Sequence, residues 1–329
     1  NGFFPGPTLI EIDAICDLNR VIFGPVLHLV RFKAEQLHSV IDEINKLGYG
    51  LTMGLHTRLD DRIEDVASRA HVGNLYVNRN QIGAVVGVHP FGGEGLSGTG
   101  PKAGGPHYLF GLTQNVIDSS QMSNERIKLS DLDTPESADP ELLERAEIAS
   151  KNWQASFAQS DRLSLAGEIA MGLSKAELSY QEITDLPGPT GEKNTLRLCP
   201  RGVVLSFGGD TLECTQAQVA RAISAGSSVI LASEHKIELG KTLSNKQIPK
   251  HLIQHTSLEV GRALTHSDID AIAADGRMRS LVASIASQRT GSILSILSGR
   301  DPIERFLHER TLTINTTAAG GNASLLAMQ

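Results

Sequence analysis

The chain has 329 residues, of which 40% are hydrophobic and 20% are charged, enough apolar material for one large or two medium-sized cores. Lysine and arginine are interspersed with acidic residues and the net charge is -7, which excludes the basic surface typical of nucleic-acid-binding proteins. No apolar run approaches the ~20 residues of a membrane span. The chain starts with Asn1-Gly2-Phe3-Phe4, which shows neither an initiator Met nor a signal-peptide pattern, so we expect a piece of a longer protein.

The first hundred residues predict strands that alternate with helices. Apolar and β-branched runs predict strands over 26–32, 51–56 and 75–78. Apolar stripes at helical spacing predict one helix over 37–47, closed by Gly48, and a second helix closed by Gly73. Thr57 and Asp60 predict a capping-box variant at the start of the second helix. This βαβαβ order implies a parallel sheet covered by helices.

Residues 83–102 contain more Gly and Pro than a regular helix or strand tolerates. Gly93-x-Gly95-x-x-Gly98 matches the dinucleotide-binding fingerprint, and Asp118 follows at about the distance of a ribose contact. The fingerprint requires a strand before it and a helix N-terminus after it. Because Pro90 precedes the motif and Pro101 follows it, no helix can start there, and we reject the fingerprint. The backbone is expected instead to approach a ligand or a packing corner closely.

A second α/β unit follows a polar stretch. Residues 119–137 are rich in Ser, Asn and Asp, which predicts a linker. A helical pattern extends from Pro140 to about Tyr180, and a Pro- and Gly-rich loop spans 186–192. Beyond Pro200 the pattern predicts strands over 203–207, 229–231 and 293–297 and helices over 216–225, closed by Gly226, and 278–287.

The chain carries a faint internal repeat. Leu75-x-Val77-Asn78 with Gly83 aligns without a gap with Leu312-x-Ile314-Asn315 and Gly320. Each copy follows a helical pattern, which suggests a duplicated domain. Chance similarity is the alternative, because only a few positions match.

The cysteines and the paired histidines favour structural roles. Cys16, Cys199 and Cys214 are isolated thiols without CxxC spacing, which fits a reducing cytoplasm and small buried hydrophobes better than a nucleophile. His251 and His255 have the spacing of one helix face, but there is no Glu in the metalloprotease position and no third ligand nearby. A solvated or capping pair is therefore favoured over a metal site, and we predict no metal.

Three motifs in this order resemble the C-terminal half of an aldehyde dehydrogenase catalytic domain: Phe23-Gly24-Pro25-Val26, Asn78-Arg79-Asn80 and Pro90-Phe91-Gly92-Gly93. The string GAVVGVHPFGGEGLSGTGPKAGGPHYL, residues 83–109, is similar to the L-glutamate-γ-semialdehyde (pyrroline-5-carboxylate) dehydrogenase branch. The tail over 314–325, with 186–195 and 200–204, resembles the far C-terminus of the bifunctional proline utilization A family.

The resemblance implies an α/β fold in two domains. Residues 1–112 would form part of an aldehyde-dehydrogenase-like three-layer parallel sheet, and 113–139 would form a linker. Residues 140–329 would form a degenerate aldehyde-dehydrogenase-like domain of Rossmann type, ending in a lid motif.

The same resemblance implies roles for four residues. Phe23 would lie against the nicotinamide ribose of NAD. Gly83 and Ala84 would form an anchor loop whose backbone N–H groups hold the α-carboxylate of the substrate, which agrees with the close approach that Gly permits. Phe91 would belong to the aromatic wall around the aldehyde chain. Core packing is the alternative for Phe23 and Phe91.

Three departures from the family pattern limit this picture. The nucleophilic Cys, the catalytic Glu and the main NAD-binding lobe are expected upstream of Asn1. Val21 stands where the family has a Glu that hydrogen-bonds the nicotinamide ribose, so cofactor binding is expected to weaken. In the second domain, Gly208-Gly209-Asp210-Thr211 replaces the Pro-Trp-Asn segment that holds the oxyanion, and Ala232 replaces the Lys that binds the adenosine ribose.

Two hypotheses of different classes follow. The first is that the chain is part of an NAD-dependent L-glutamate-γ-semialdehyde dehydrogenase of proline catabolism, inactive alone and located in the cytoplasm. Its partners would be the semialdehyde, the upstream domains of the same protein, one of them an FAD-containing proline dehydrogenase domain, and a second copy in a homo-oligomer. The alternative is a non-catalytic module that seals a substrate-channelling cavity or supports oligomerisation.

Overall fold

The computed structural model describes residues 4–18, 20–109 and 140–317. Its strands in the first part are β1 (Thr8–Glu11), β2 (Val26–Leu29), β3 (Tyr49–Gly50), β4 (Thr52–Leu55), β5 (Asn74–Val77) and β6 (Glu94–Gly95). Those in the second part are β7 (Ile183–Leu186), β8 (Glu192–Pro200), β9 (Val203–Gly208), β10 (Ser228–Leu231), β11 (Ile253–His255), β12 (Ala271–Ala274), β13 (Ser295–Leu297) and β14 (Leu307–Asn315). The helices are α1 (Leu37–Lys46), α2 (Asp60–Arg69), α3 (Pro140–Ser156), α4 (Gln159–Ile169), α5 (Lys175–Leu178), α6 (Leu212–Ser224), α7 (Lys236–Leu243), α8 (Leu258–Leu264) and α9 (Gly276–Ala286).

The amphipathic helices of the first part cover one face of a sheet, as predicted. Ile41 of α1 and Val66 of α2 join a buried cluster with Leu75 and Val77 of β5. Their spacing places each of them on the apolar stripe of its element. Gly48, just past α1, has φ +76°, a conformation that glycine adopts without strain and that ends the helix.

Two predictions for this region are wrong. β2 pairs in parallel with β1, and not with β4, so the βαβαβ order does not build one sheet. Helix α2 begins at Asp60, because the hydroxyl of Thr57 accepts the N–H of Leu59 (3.2 Å) upstream of the helix instead of capping it. The helix also ends at Arg69, four residues before Gly73.

A mixed sheet joins the two parts of the chain. Its strand order is β4-β5-β14-β8-β7, so that two strands come from the first hundred residues and three from the C-terminal part. β4, β5 and β14 are parallel, whereas β8 and β7 run antiparallel to their neighbours. Strand β14 pairs with β5 along one edge and with all nine residues of β8 along the other.

The two copies of the internal repeat are neighbouring strands in this sheet. Leu312 of β14 is the cross-strand partner of Leu75 in β5, and Ile314 is the partner of Val77. All four side chains join the cluster under α1 and α2. Because matched positions in parallel strands point to the same face, the similar sequences fill similar places in one core.

The second part contains a five-stranded parallel sheet with helices on both faces. Its strand order is β11-β10-β9-β12-β13. Along β9, Val203, Leu205 and Phe207 face a cluster with α3, α8 and α9, whereas Val204 faces a cluster with α4, α6 and α7. The continuous apolar run of β9 is thus buried on both faces, which is typical of a central parallel strand.

The predicted helices and strands of this part are present with shifted bounds. The helical pattern from Pro140 divides into α3, α4 and α5, and α6 begins at Leu212, where Thr211 Oγ1 accepts the N–H of Cys214 (3.3 Å). Residues Ile303–Phe306 form a 3-10 helix. The sequence did not predict β7, β8, β11, β12, α7 or α8, most of which are short.

The predicted linker over 113–139 and the terminal lid motif beyond Thr317 lie outside the described residues. The boundaries of the two domains therefore stay predictions. What the structure adds is that strands from both proposed domains share the mixed sheet.

We predict that Leu205→Ala lowers the free energy of unfolding by about 2–5 kcal/mol, because it leaves a cavity in the central strand β9. Urea unfolding followed by the fluorescence of Trp153, the single tryptophan, measures the loss. The control Ile237→Ala removes an exposed side chain and is expected to change stability by about 0.5 kcal/mol or less. Equal effects of the two variants would contradict the described core.

Candidate functional site

The Gly-rich segment lies over the polar face of the mixed sheet. Asn74 in β5 is the cross-strand partner of Thr311 in β14. Both side chains donate to the carbonyl of Pro90, at 2.8 and 3.0 Å. Strands from both parts of the chain therefore hold the same point of the segment.

Lys102 fastens the far end of the segment to the same strand. Its side chain is buried, and the ammonium donates to the carbonyls of Gly73 (2.6 Å) and Gly92 (2.7 Å) and to Asn74 Oδ1 (2.8 Å). Burial lowers the pKa of Lys102 to about 8, against the opposing effect of the Glu309 and Glu94 carboxylates. Phe91 and Ala103 form a two-residue antiparallel bridge beside this lysine.

The fingerprint motif folds as a tight loop and not as a nucleotide turn. Gly98 closes back on Gly93, so that a Cβ at Gly98 would lie 2.9 Å from the Gly93 carbonyl oxygen. Glu94 and Gly95 form the short strand β6, paired with β3. From the motif to residue 109, the described chain contains no α-helix, which agrees with rejection of the fingerprint. Asp118 lies outside the described residues.

Gly83 and Ala84 lie in an exposed turn that presents two backbone donors. Gly83 has φ +81°. The N–H groups on either side are occupied, because that of Ile82 donates to Asn80 Oδ1 (3.1 Å) and that of Val85 to His89 Nδ1 (3.1 Å). Within the described ranges no acceptor is found for the N–H groups of Gly83 and Ala84. Adjacent free donors on exposed backbone can receive a carboxylate.

Phe91 and Phe23 occupy different surroundings. Phe91 is half-buried in the Gly-rich segment that also carries Gly83 and Ala84. Phe23 lies in the loop between β1 and β2, and its side chain is 96% exposed in this chain. Val21, two residues earlier, is also exposed and offers no polar group.

A partly buried carboxylate connects both ends of the loop that carries Gly83 and Ala84 to the second part of the chain. Glu192, the first residue of β8, binds Arg79 through one oxygen and His89 Nε2 (2.6 Å) through the other. Asn194 also donates to the second oxygen (3.0 Å). The guanidinium of Arg79 lies over the ring of Tyr76, 5.3 Å from its centroid. Burial raises the pKa of Glu192, but hydrogen bonds from Asn194 and His89 and the charge of Arg79 outweigh it, so that the pKa lies below 4.5.

Further ion pairs join the two parts along the sheet. Arg310 of β14 binds Glu94 through two hydrogen bonds (3.0 and 3.2 Å), and Arg197 of β8 binds Glu64 of α2 in the same way (2.7 and 2.8 Å). Sequence reasoning missed these residues. Arg197 and Arg310 interrupt strands that are otherwise mostly half-buried or buried, which is a signal for paired charges.

His107 and Glu309 form another contact of this kind. The His107 ring lies 2.7 Å from Glu309 Oε1, while Glu309 Oε2 accepts the N–H of Lys102 (2.7 Å). The hydrogen bond to Glu309 raises the pKa of His107 above 6.5, although burial opposes the rise.

The sequence is similar to known proteins of one enzyme family. Residues 1–116 match the model of the aldehyde dehydrogenase family. The bifunctional protein PutA of Escherichia coli K12 is 41% identical over 340 residues, which cover 100% of this chain and 24% of that protein. PutA of Rhizobium meliloti is 37% identical over 99% of this chain and 26% of its own length. The chain is thus similar to PutA proteins over its whole length, and its first third matches the aldehyde dehydrogenase family.

Two further relatives limit what this similarity means. 1-Pyrroline-5-carboxylate dehydrogenase 1 of Halalkalibacterium halodurans is 46% identical over 111 residues, which cover 33% of this chain and 21% of that protein. The structure of PutA from Corynebacterium freiburgense matches with a TM-score of 0.51 at 23% identity, over 90% of this chain and 26% of that one, and supports the fold alone. The chain thus spans about a quarter of the length of the PutA proteins it matches.

In the second part of the chain, the five-stranded parallel sheet leaves no open crevice at the place where open α/β sheets bind ligands. The strand order changes direction between β9 and β12, and such a switch point is the usual nucleotide site. Here the Asp275 carboxylate occupies it, and Gln218 Nε2 (2.7 Å), the N–H of Gly299 (2.7 Å) and the hydroxyl of Ser298 donate to that carboxylate. A dinucleotide pyrophosphate would meet a fixed negative charge.

The position of the absent lysine is closed as well. Ala232 is completely buried at the end of β10, and helix α8 passes so close that a Cβ on Gly261 would overlap Ala232. A lysine at 232 would therefore have no room. Gly208 is similarly enclosed by the hydroxyls of Ser233 and Thr215.

The remaining candidates from the sequence do not assemble a site. His251 has φ +63° in a turn and His255 lies in strand β11, so the pair does not share a helix face. Burial raises the pKa of the Cys199 thiol, Cys16 is exposed, and Cys214 lies in α6. Over 4–18, 20–109 and 140–317, no group of His, Cys, Asp and Glu has the arrangement of a metal site. No helix within those ranges has the length and apolarity needed to cross a membrane.

We predict that His107→Gln destabilises the protein more at pH 6 than at pH 9. Because its pKa is raised in the folded state, the His107–Glu309 contact stabilises fully below 6.5 and loses its effect as the pH rises through the folded-state value. Urea unfolding at both pH values measures the difference. In a Glu309→Gln background the pH dependence of the His107→Gln effect should diminish, and an unchanged dependence would contradict the assignment.

Proposed function

We propose that this chain supplies the substrate-anchoring part of an NAD-dependent L-glutamate-γ-semialdehyde dehydrogenase in proline catabolism. The observation that carries the proposal is the pair of free backbone N–H groups at Gly83 and Ala84, on an exposed turn fixed on both sides. The substrate's α-carboxylate is the anion such a turn suits. The similarity to 1-pyrroline-5-carboxylate dehydrogenases over about the first third of the chain supports the choice of substrate.

Oxidation of the aldehyde to a carboxylate would require a hydride acceptor, which NAD⁺ would supply, and a water molecule for the second oxygen, with two protons released. The chain's own contribution is to bind and orient the substrate. Gly83 and Ala84 hold its α-carboxylate, while Phe91 lines the aldehyde chain. The resemblance assigns the nucleophilic Cys and the catalytic Glu to residues upstream of Asn1.

In this chain we propose contacts to NAD only from the loop between β1 and β2. When bound, it supplies the hydride acceptor. Phe23 presents an exposed aromatic face that can lie against the nicotinamide ribose, and Gly24 beside it has φ +151°. Val21 has no hydrogen-bonding atom in its side chain for the ribose hydroxyls. The FAD of a proline dehydrogenase domain belongs, in this proposal, to a part of the protein outside this chain.

For residues 140–317 we propose a structural role, which unites the two hypotheses. The blocked switch point at Asp275 and the closed position at Ala232 disfavour nucleotide binding in this unit. Its strands β14 and β8 instead complete the sheet on which the anchor segment rests. In the full-length protein this unit would also cover the cavity that the semialdehyde crosses.

We predict that Ala84→Pro in the full-length protein raises the KM for glutamate semialdehyde by about 10- to 100-fold, because it removes one N–H donor to a charged group. NADH formation measures the effect. Butanal lacks the α-carboxylate and is the control substrate, and its KM should change by less than about twofold. Gly83→Ala, strained at φ +81°, should act in the same direction.

If both variants raise the KM for glutamate semialdehyde and leave the KM for butanal unchanged, the result supports the role of Gly83 and Ala84 in binding the α-carboxylate. Equal losses with semialdehyde and butanal, or no loss with either, would contradict the proposed role of this turn. Absence of semialdehyde oxidation in the unaltered full-length protein would overturn the proposed activity itself.

We predict that Val21→Glu lowers the KM for NAD by about tenfold, because a carboxylate at this exposed position can accept hydrogen bonds from the ribose hydroxyls. Val21→Leu is the matched control and should leave the KM unchanged. Steady-state kinetics of the full-length protein at saturating aldehyde measures it. An unchanged KM for NAD in Val21→Glu would contradict the proposed contact between this loop and the cofactor.

A further inference from the structure

The carboxylate of Glu192 meets both ends of the loop that carries the anchor turn. Arg79 opens this loop directly after β5 and Asn78, and His89 closes it ten residues later. Each binds a different oxygen of Glu192. Glu192, from the second part of the protein, therefore fixes Arg79 and His89, the two residues between which Gly83 and Ala84 lie.

The hydrogen bonds of His89 determine its tautomer. The backbone N–H of Val85 is a donor, so His89 Nδ1, at 3.1 Å, must carry a lone pair. The proton of the neutral ring then sits on Nε2, where it is donated to Glu192 Oε1 at 2.6 Å, so that Arg79 Nη1, 3.2 Å from the same Nε2, is a neighbour of this nitrogen and does not donate to it. The ring is 3% exposed, so water does not compete for either nitrogen.

The same ring closes the turn that follows the anchor. The N–H of His89 donates to the Val85 carbonyl (2.7 Å) while its Nδ1 accepts the Val85 N–H, so that residues 85–89 form one doubly closed turn. The N–H of Gly87 (φ +79°) donates to the carbonyl of Gly104 (3.1 Å), which connects the turn to the rest of the segment. Val85 directly follows Ala84, so its orientation sets the direction of the preceding peptide.

We propose that Glu192 is a positioning residue for the substrate carboxylate. By holding the Nε2–H tautomer of His89, it leaves Nδ1 free to hold the Val85 N–H and so preorganises the two donors of Gly83 and Ala84. This inference rests on the proposed function and adds a specific claim to it. In this proposal the part of the chain over residues 140–317, for which we propose no nucleotide binding, increases the affinity of the dehydrogenase for its substrate through the Glu192 carboxylate.

The surroundings of Glu192 fit a fixed carboxylate. Asn194 Nδ2 donates to Oε1, and Arg79 is itself held over the Tyr76 ring. The pKa of Glu192 is lowered, because the hydrogen bonds and the Arg79 charge outweigh its burial, so the side chain is ionised at neutral pH. A ligand binds more tightly to donors that are already in position, because binding then does not have to order them.

The test uses Glu192→Ala in the full-length protein. We expect the KM for glutamate semialdehyde to rise by about tenfold while kcat and the KM for butanal change by less than about twofold. Glu192→Gln keeps one acceptor for His89 and loses the charge that binds Arg79, so a smaller rise is expected. Adding His89→Gln to Glu192→Ala should produce little further loss, because both act on the same hydrogen bond.

Glu64→Ala is the matched control. It breaks another carboxylate–arginine pair between the two parts, with Arg197, away from the anchor turn. It should leave both KM values unchanged. If Glu192→Ala and Glu64→Ala behave alike, or if Glu192→Ala raises the KM for butanal equally, Glu192 is only a structural contact and the inference is overturned.

The kinetics of Ala84→Pro separate this inference from the proposed function. A selective effect of Ala84→Pro without one in Glu192→Ala overturns only the positioning role. Absence of a selective effect in both overturns the anchor itself.

Discussion

The pairing of β5 with β14 is the contact on which the rest of the molecule depends. It places strands that are more than two hundred residues apart in the sequence side by side in one sheet. The same register forms an apolar face under α1 and α2 and a polar face under the Gly-rich segment. Because side chains alternate along a strand, one pairing determines both faces at once.

The polar face explains how a segment so rich in Gly takes a defined path. Glycine gains nothing from side-chain packing and loses the most conformational freedom on ordering. The segment is instead held by groups with fixed positions, namely the amide of Asn74, the hydroxyl of Thr311 and the ammonium of Lys102. Two of these three side chains lie on the paired strands.

Local patterns in the sequence predicted the strongly periodic helices and strands, but not which strands pair with each other. The apolar stripes of α1 and α6 and the run of β9 predicted these elements, because burial imposes a period on sequence. The mixed sheet was not predictable, since β14 pairs with β8 and with β5 over separations of more than a hundred residues. Gly83, Ala84 and Phe91 were predicted as site residues from the family resemblance. Glu192 was not predicted, because its partners Arg79 and His89 are over a hundred residues away in the sequence and leave no local pattern around it.

The double pairing of β14 also restricts how such a chain can vary in length. Residues can be added or lost in the loops between β9 and β14 at small cost, because loop closure depends weakly on length. Within β14 the deletion of a single residue would turn the following side chains to the opposite face and disturb the contacts with β5 and β8 together. Insertions and deletions among related sequences should therefore avoid this strand, even where its individual side chains differ.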